Sequence, residues 1–211
     1  MKTNDLITLL AQDAPVRLNL NHALWHAAIT AILIAGIAFF AVIGFRPDIN
    51  NAIQTGRFLF KFAITISLAV SSGKVLFHIG RPGAPLRGAA LWLLLPVALT
   101  IGAAIFELVV MPPETWAGRM IGHNSRLCLA IIPSLSLGPL ACFLYAMRNG
   151  APERPGLAGA LAGVAAAGIA ATFYAANCDD DSPLFVMLWY PMAVGLVTAG
   201  GWLIGGRMLR W

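Results

Sequence analysis

Residues 156–176 read GLAGALAGVAAAGIAATFYAA, a stretch without a single charge and with small residues at Gly159, Gly163, Ala167 and Gly168. At about 1.5 Å of rise per residue, some 20 residues of helix cross the roughly 30 Å hydrocarbon core of a bilayer. The stretch reads as a transmembrane helix whose small faces let another helix backbone come close, because lipid supplies no hydrophobic drive for helices to associate. Gly201 and Gly205 give the last apolar span a matching spacing. Intramolecular packing is the first reading of these faces, and a homodimer seam is the second.

Five further spans lie outward from it: Ala23 to Phe45, Phe58 to Gly80, Gly88 to Met111, Leu127 to Met147 and Pro183 to Gly206. Charge or Pro/Gly punctuation separates them at Arg46-Pro47-Asp48, Gly80-Arg81-Pro82-Gly83, Pro112-Pro113-Glu114, Arg148-Asn149-Gly150 and Cys178-Asp179-Asp180-Asp181. Pro96, Pro133, Pro139 and Pro191 fall inside spans and are expected to kink them. Of 211 residues 59% are hydrophobic and 11% charged, with a mean hydropathy of +0.78. That balance excludes a water-soluble globular protein and leaves little chain for a catalytic domain, so no enzyme activity is expected. The expected fold is an all-α membrane protein, a six-transmembrane-helix bundle over residues 23–211. A polar segment, residues 1–22, precedes it. Asp5 and Asp13 in that segment argue against a cleavable signal and for a retained first helix.

Basic residues orient the chain. With the N-terminus inside, nine of the 14 Lys and Arg fall on inner segments and five on outer ones. The positive-inside rule therefore places both termini in the cytoplasm. The net charge of +5 is accounted for by this asymmetry, and no direct nucleic-acid contact is implied.

Cys128 opens the fourth span at its outer end and Cys178 closes the fifth on the same side, at about equal distances along the chain from the connecting loop near Pro152. Cys142 lies 14 residues further in, about 21 Å deeper, and cannot reach them. Facing cysteines on neighbouring helices fit the roughly 5.5 Å Cα separation of a disulfide. Three readings stay open for the pair: a sensing thiol pair, a permanent disulfide, or two packed cysteines. His123, Asp179, Asp180 and Asp181 lie nearby in sequence as auxiliary sensing residues, so Cys128 and Cys178 can transiently take a heavy-metal ion. No CxxC or HExxH spacing marks a dedicated metal site, and no cofactor is required. Taken alone, Asp179 to Asp181 read as a solvated loop.

Lys61 and Lys74 read as interfacial anchors that snorkel from opposite ends of the second span. Glu107 is expected to pair with Arg126 or Arg119, or else to serve as a proton or ion site. His22, His26 and His78 read as interfacial. In the leader MKTNDLITLLAQDAP, Thr3 or Asn4 can cap a short amphipathic helix ended by Pro15. Its apolar face needs a partner, either the membrane surface or a groove on another protein.

The leader, Gly80-Arg81-Pro82-Gly83, Asn124-Ser125-Arg126-Leu127-Cys128-Leu129 running into Ile132-Pro133, and above all Asn177-Cys178-Asp179-Asp180-Asp181-Ser182-Pro183-Leu184-Phe185-Val186 with Trp189-Tyr190-Pro191 resemble the NrsF family of bacterial inner-membrane anti-sigma factors. The resemblance implies sequestration of an extracytoplasmic-function sigma factor at the bilayer, and its release on heavy-metal or oxidative stress. The family's two characteristic cysteines correspond to Cys128 and Cys178. Cys142 lies outside that pattern, and the third aspartate is a small departure from it. On this reading Leu6, Leu9 and Leu10, with Arg81, Arg87, Arg148 and Arg154, hold the sigma factor. Two other classes remain beside it, a small membrane transporter and a membrane thiol oxidoreductase. The first would want charges near the midplane and the second a CxxC.

Overall fold

The computed structural model describes residues 19–81, 83 and 86–210, without the side chains of residues 86 and 87. The leader helix, with Leu6, Leu9 and Leu10, lies outside the described residues. Six long helices make up the body: α1 (Leu20–Val42), α2 (Gly56–Ile79), α3 (Leu94–Val110), α4 (Ser125–Met147), α5 (Pro155–Ala175) and α6 (Pro183–Met208). Six segments are long and apolar enough to cross a membrane, and among the described residues there is no β-strand.

Local chemistry sets the ends of these helices within a few residues of the sequence reading. The Asn19 side chain accepts from Asn21 N and starts α1 three residues before Ala23. Gly44, at φ +74°, prevents α1 from running on to Phe45. Thr55 and Ser182 cap α2 and α6 through their hydroxyls, and Pro155 and Pro183 occupy first-turn positions where no backbone donor is lost. The irregularity expected from Pro96 takes the form of a 3₁₀ turn, Leu91–Leu93, between a short helix (Leu86–Ala90) and α3.

Helix α5 stands at the centre and packs against α6, α2, α4 and α1. Its alanines at 158, 162, 166, 167, 170 and 171 are fully buried. A Cβ on Gly159 would lie 2.1 Å from the Gly201 carbonyl oxygen and 2.7 Å from Gly205 Cα, and one on Gly163 would lie 2.7 Å from the Val197 oxygen. On the other side a Cβ on Gly168 would lie 2.8 Å from the Ala69 backbone. The small-residue faces are thus used within the chain, backbone against backbone. Helix α3 is peripheral, packed on α2 and α6. It exposes Leu94, Val97, Ile101, Ile105 and Val109, the side chains that a bilayer would solvate.

The interior falls into two clusters. Leu24, Leu76, Leu144 and Met147 belong to one, and Cys142 packs against it. Phe39, Ile132, Tyr174 and Phe185 belong to the other, together with Cys128 and Cys178. The depth difference inferred for the three cysteines is therefore seen as membership of separate clusters.

Candidate functional site

The loop from Asn177 to Ser182 joins α5 to α6 and ties several elements to one end of the bundle. The N–H groups of Asn177 and Cys178 both donate to the Tyr174 carbonyl at 3.0 Å and turn the chain out of α5. Asn177 Nδ2 donates to Gly44 O at 3.1 Å, and Arg46 N donates to Ala176 O at 3.2 Å. These bonds anchor the segment after α1 to the end of α5.

A charge cluster holds the loop from beneath. Lys61, only 2% exposed, donates to the Cys178 carbonyl at 2.8 Å and to Asp181 Oδ1 at 2.6 Å. Arg46 reaches Asp181 Oδ2 at 2.7 Å through Nη1 and grips Asp48 through Nε and Nη2 at 2.6 and 2.7 Å. Both cations lie near the Phe58 ring, 5.8 Å away for Arg46 and 5.7 Å for Lys61. Two cations and two carboxylates leave the cluster with no net charge, and each buried cation has an ionic partner that offsets part of its desolvation. The hydrogen bond to Asp48 raises the Arg46 pKa further above its ordinary value, and the same bond holds Asp48 below the ordinary carboxylate range.

The neighbouring aspartates face the start of α4. Asp180 Oδ2 accepts from His123 N at 2.9 Å and Asn124 N at 2.7 Å. These donors precede the first turn of α4, where a helix favours negative charge. Asp179 accepts from Asn124 Nδ2. Gly122, at φ +60°, makes this approach feasible, since a Cβ there would fall 2.5 Å from the Phe185 ring and 2.8 Å from Asp180 Cγ. Asp180 and Asp181 are therefore held by protein partners, which departs from the reading of a solvated loop, while Asp179 stays exposed.

Under this lid lie the two thiols. Cys128 is completely buried and Cys178 nearly so, both are free, and both belong to the cluster containing Tyr174, Tyr190, Phe185 and Ile132. Among the described residues the Tyr174 and Tyr190 hydroxyls, in the same cluster, have no hydrogen-bond partner. Burial pushes the Cys178 thiol above the ordinary cysteine range, with Lys61 opposing it. The thiol is thus held protonated and shielded, and access to it requires the loop to move. Among the described residues no three His, Cys, Asp or Glu side chains converge as a metal site. The His123 side chain is 94% exposed, with Nδ1 3.7 Å from Asp180 Oδ1, and stands outside the thiol cluster.

Glu107 forms a second polar centre nearby. Its Oε1 accepts from Arg119 Nη1 at 2.8 Å and lies 3.5 Å from Arg57 Nη2. Arg119 is the partner reached, and Arg57, from α2, takes the place proposed for Arg126. Lys61 departs from its expected role as an anchor: it points into the bundle because the Cys178 carbonyl and Asp181 supply the oxygens that water would have offered. Arg46 and Lys61 were missed as site residues. Their signal was a pair of cations bracketing the start of the second span opposite a loop with three aspartates.

The residues proposed to hold a partner lie elsewhere. At the opposite end of the bundle, Arg81 Nη2 donates to Asn21 Oδ1 at 2.7 Å, and Arg148 and Arg154 are exposed. The side chain of Arg87 lies outside the described residues. The positions of Gly80 and Gly150 bring these segments together, since a Cβ on Gly150 would meet the Gly80 oxygen at 2.8 Å.

Comparison with known proteins gives a consistent picture. The family described as "Negative regulator of sigma F", NrsF, matches residues 10–211. The "Probable anti-sigma-F factor NrsF" of Azospira oryzae is 32% identical over a 219-residue alignment, and the "Anti-sigma-F factor NrsF" of Caulobacter vibrioides is 33% identical over 225. Each alignment covers 100% of both chains. No solved structure matches the chain.

Proposed function

Since the chain belongs to the NrsF family, the negative regulators of sigma F, we propose that it is an anti-sigma factor of the bacterial inner membrane with both termini in the cytoplasm. It sequesters an extracytoplasmic-function sigma factor and releases it on heavy-metal or oxidative stress sensed at Cys128 and Cys178. The observation that carries this reading is the end-to-end similarity to two proteins called anti-sigma-F factors.

The two ends of the bundle support a division of labour. One holds buried thiols under a loop fastened by charge. The other carries the cations Arg81, Arg148 and Arg154, which with Leu6, Leu9, Leu10 and Arg87 make up the docking surface for the sigma factor. In the resting state both thiols are closed off from solvent. Oxidation by a hydroperoxide would form a disulfide, the two thiol protons and two electrons passing to the oxidant as its O–O bond breaks to give an alcohol and water, while a soft metal ion would displace the two protons. Either event changes the packing of α4, which carries Cys128, against the end of α5, which leads into Cys178. A difference of about 3 kcal/mol between two packings would change sigma occupancy by some two orders of magnitude.

Co-purification of the sigma factor with the full chain, and with a chain lacking residues 2–14, tests the docking half. Retention is expected for the first and loss for the second; equal retention would move the docking site to the loops. For the sensing half, Cys128→Ser and Cys178→Ser are expected to alter the stress response of the target promoter. A normal response in both would sink the thiol switch.

A further inference from the structure

A cavity of about 670 Å³ opens between α2, α3 and α6, with Arg57, Phe60, Gly102, Phe106, Glu107 and Pro183 in its lining. Its size is that of a ligand pocket. Polar groups sit at one end, where α2 begins and α3 ends, and the wall deeper in the span is apolar. This is the polarity of the bilayer itself at the headgroup boundary.

The polar end has an unmet requirement. Glu107 is 2% exposed, and its Oε2 is buried with no hydrogen-bond partner among the described residues. A buried carboxylate oxygen without a donor is costly. Both arginines serve the other oxygen, Arg119 closely at 2.8 Å and Arg57 loosely at 3.5 Å. Two guanidiniums against one carboxylate leave one positive charge over. Arg57 is half-exposed at the mouth, beside the first N–H groups of α2, which favour an anion.

We propose that this cavity binds an anionic phospholipid with a hydroxyl-bearing headgroup, of the phosphatidylglycerol class. The phosphodiester neutralises the surplus charge at Arg57 and the start of α2. On binding, the Glu107 carboxyl turns towards the cavity so that Oε2 accepts from a headgroup hydroxyl, and an acyl chain lies along Phe60, Gly102 and Phe106. Charge selects among lipids. Phosphatidylcholine has no donor for Oε2, and phosphatidylethanolamine would place an ammonium beside two guanidiniums. Pro183, two residues beyond Asp181, forms part of the wall, so the lipid site and the thiol end share the first turn of α6.

Native mass spectrometry of the full chain in detergent, titrated with phosphatidylglycerol, phosphatidylethanolamine or phosphatidylcholine of identical acyl chains, tests this directly. One phosphatidylglycerol is expected to be retained at least about tenfold more tightly than either of the others. Two variants remove separate halves of the site. Arg57→Gln takes away the surplus charge and leaves the Arg119–Glu107 pair intact. Gly102→Leu fills the acyl groove, and a Cβ at Gly102 meets nothing within 4 Å, so the bundle keeps its melting temperature. Each is expected to bring phosphatidylglycerol retention down to the phosphatidylcholine level. Equal retention of the three lipids by the unmodified chain, or phosphatidylglycerol retention unaffected by either variant, would overturn the assignment.

Discussion

Helix α5 is fastened to its neighbours in two ways that share almost no chemistry. Along its length the contact with α6 is glycine against glycine, with the Gly159 and Gly201 backbones too close for any side chain. At its end the contact is ionic, with Asp181 shared between Lys61 and Arg46. The first depends on shape alone, and no proton, metal or oxidant acts on it. The second depends on charge. The two contacts therefore answer to different perturbations, the first to added volume and the second to loss of a charge.

Breaking the shape contact is expected to do the most damage. Gly159→Leu forces a side chain into the Gly201 carbonyl and should cost more than about 3 kcal/mol, read by reversible denaturation in mixed micelles. A loss below about 1 kcal/mol would mean that the seam is looser than its geometry. Asp181→Asn comes next. Lys61 and Arg46 then keep buried positive charge without their shared partner, and about 2 kcal/mol should be lost, discounted for the 18% exposure of Asp181. Adding Lys61→Met should recover part of that loss, and a strictly additive double variant would deny the coupling.

A smaller, kinetic effect distinguishes lid from scaffold. At pH 7.5 N-ethylmaleimide should label Cys178 slowly in the folded chain and roughly tenfold faster in Asp181→Asn, by mass spectrometry of the modified peptide. Because burial raises the thiol pKa, the associated stability is present at neutral pH and is lost as pH rises through the folded value. Resistance of the folded chain to denaturation should therefore fall as pH rises past the ordinary cysteine range. The least change is expected from Asp48→Asn. Asp48 lies at the exposed edge, and Arg46 keeps Asp181, so unfolding at neutral pH should not shift measurably. The depressed Asp48 pKa means that its contact with Arg46 is lost only as pH falls below the ordinary carboxylate range.

Span number and approximate limits were legible because 20 apolar residues between charges have one inexpensive solution in a bilayer. The packing role of Gly159, Gly163, Gly201 and Gly205 was legible for a related reason: four-residue spacing puts small residues on one helix face. The direction of Lys61 was not legible. A helix apolar on all sides carries no phase information, so hydropathy does not say whether a lysine one turn inside faces lipid or protein. The answer lay in Asp181, 120 residues away. Arg46 read as loop punctuation, while Arg119, close in sequence, was one of the two partners expected for Glu107. Arg57, on another helix, was not foreseen. Placing both cysteines at one level followed from counting residues from the turn, but their burial beneath aspartates depended on capping contacts at α4 that no periodicity encodes.

The central position of α5 also bears on how the chain is made. In the finished bundle α1 packs on α4 and α2 on α3, while α1 and α2 meet through side chains at one end, Trp25 on Phe77 at 5.5 Å and Arg81 on Asn21. A nascent chain that has delivered four helices to the membrane thus still lacks the helix on which α1, α2 and α4 all pack. Only when translation has passed residue 175 does a helix narrow enough to enter between them become available, and α6 then closes behind it. On this packing the bundle is completed only once α5 has been made, and a chain that stops before residue 155 has four helices without their central partner.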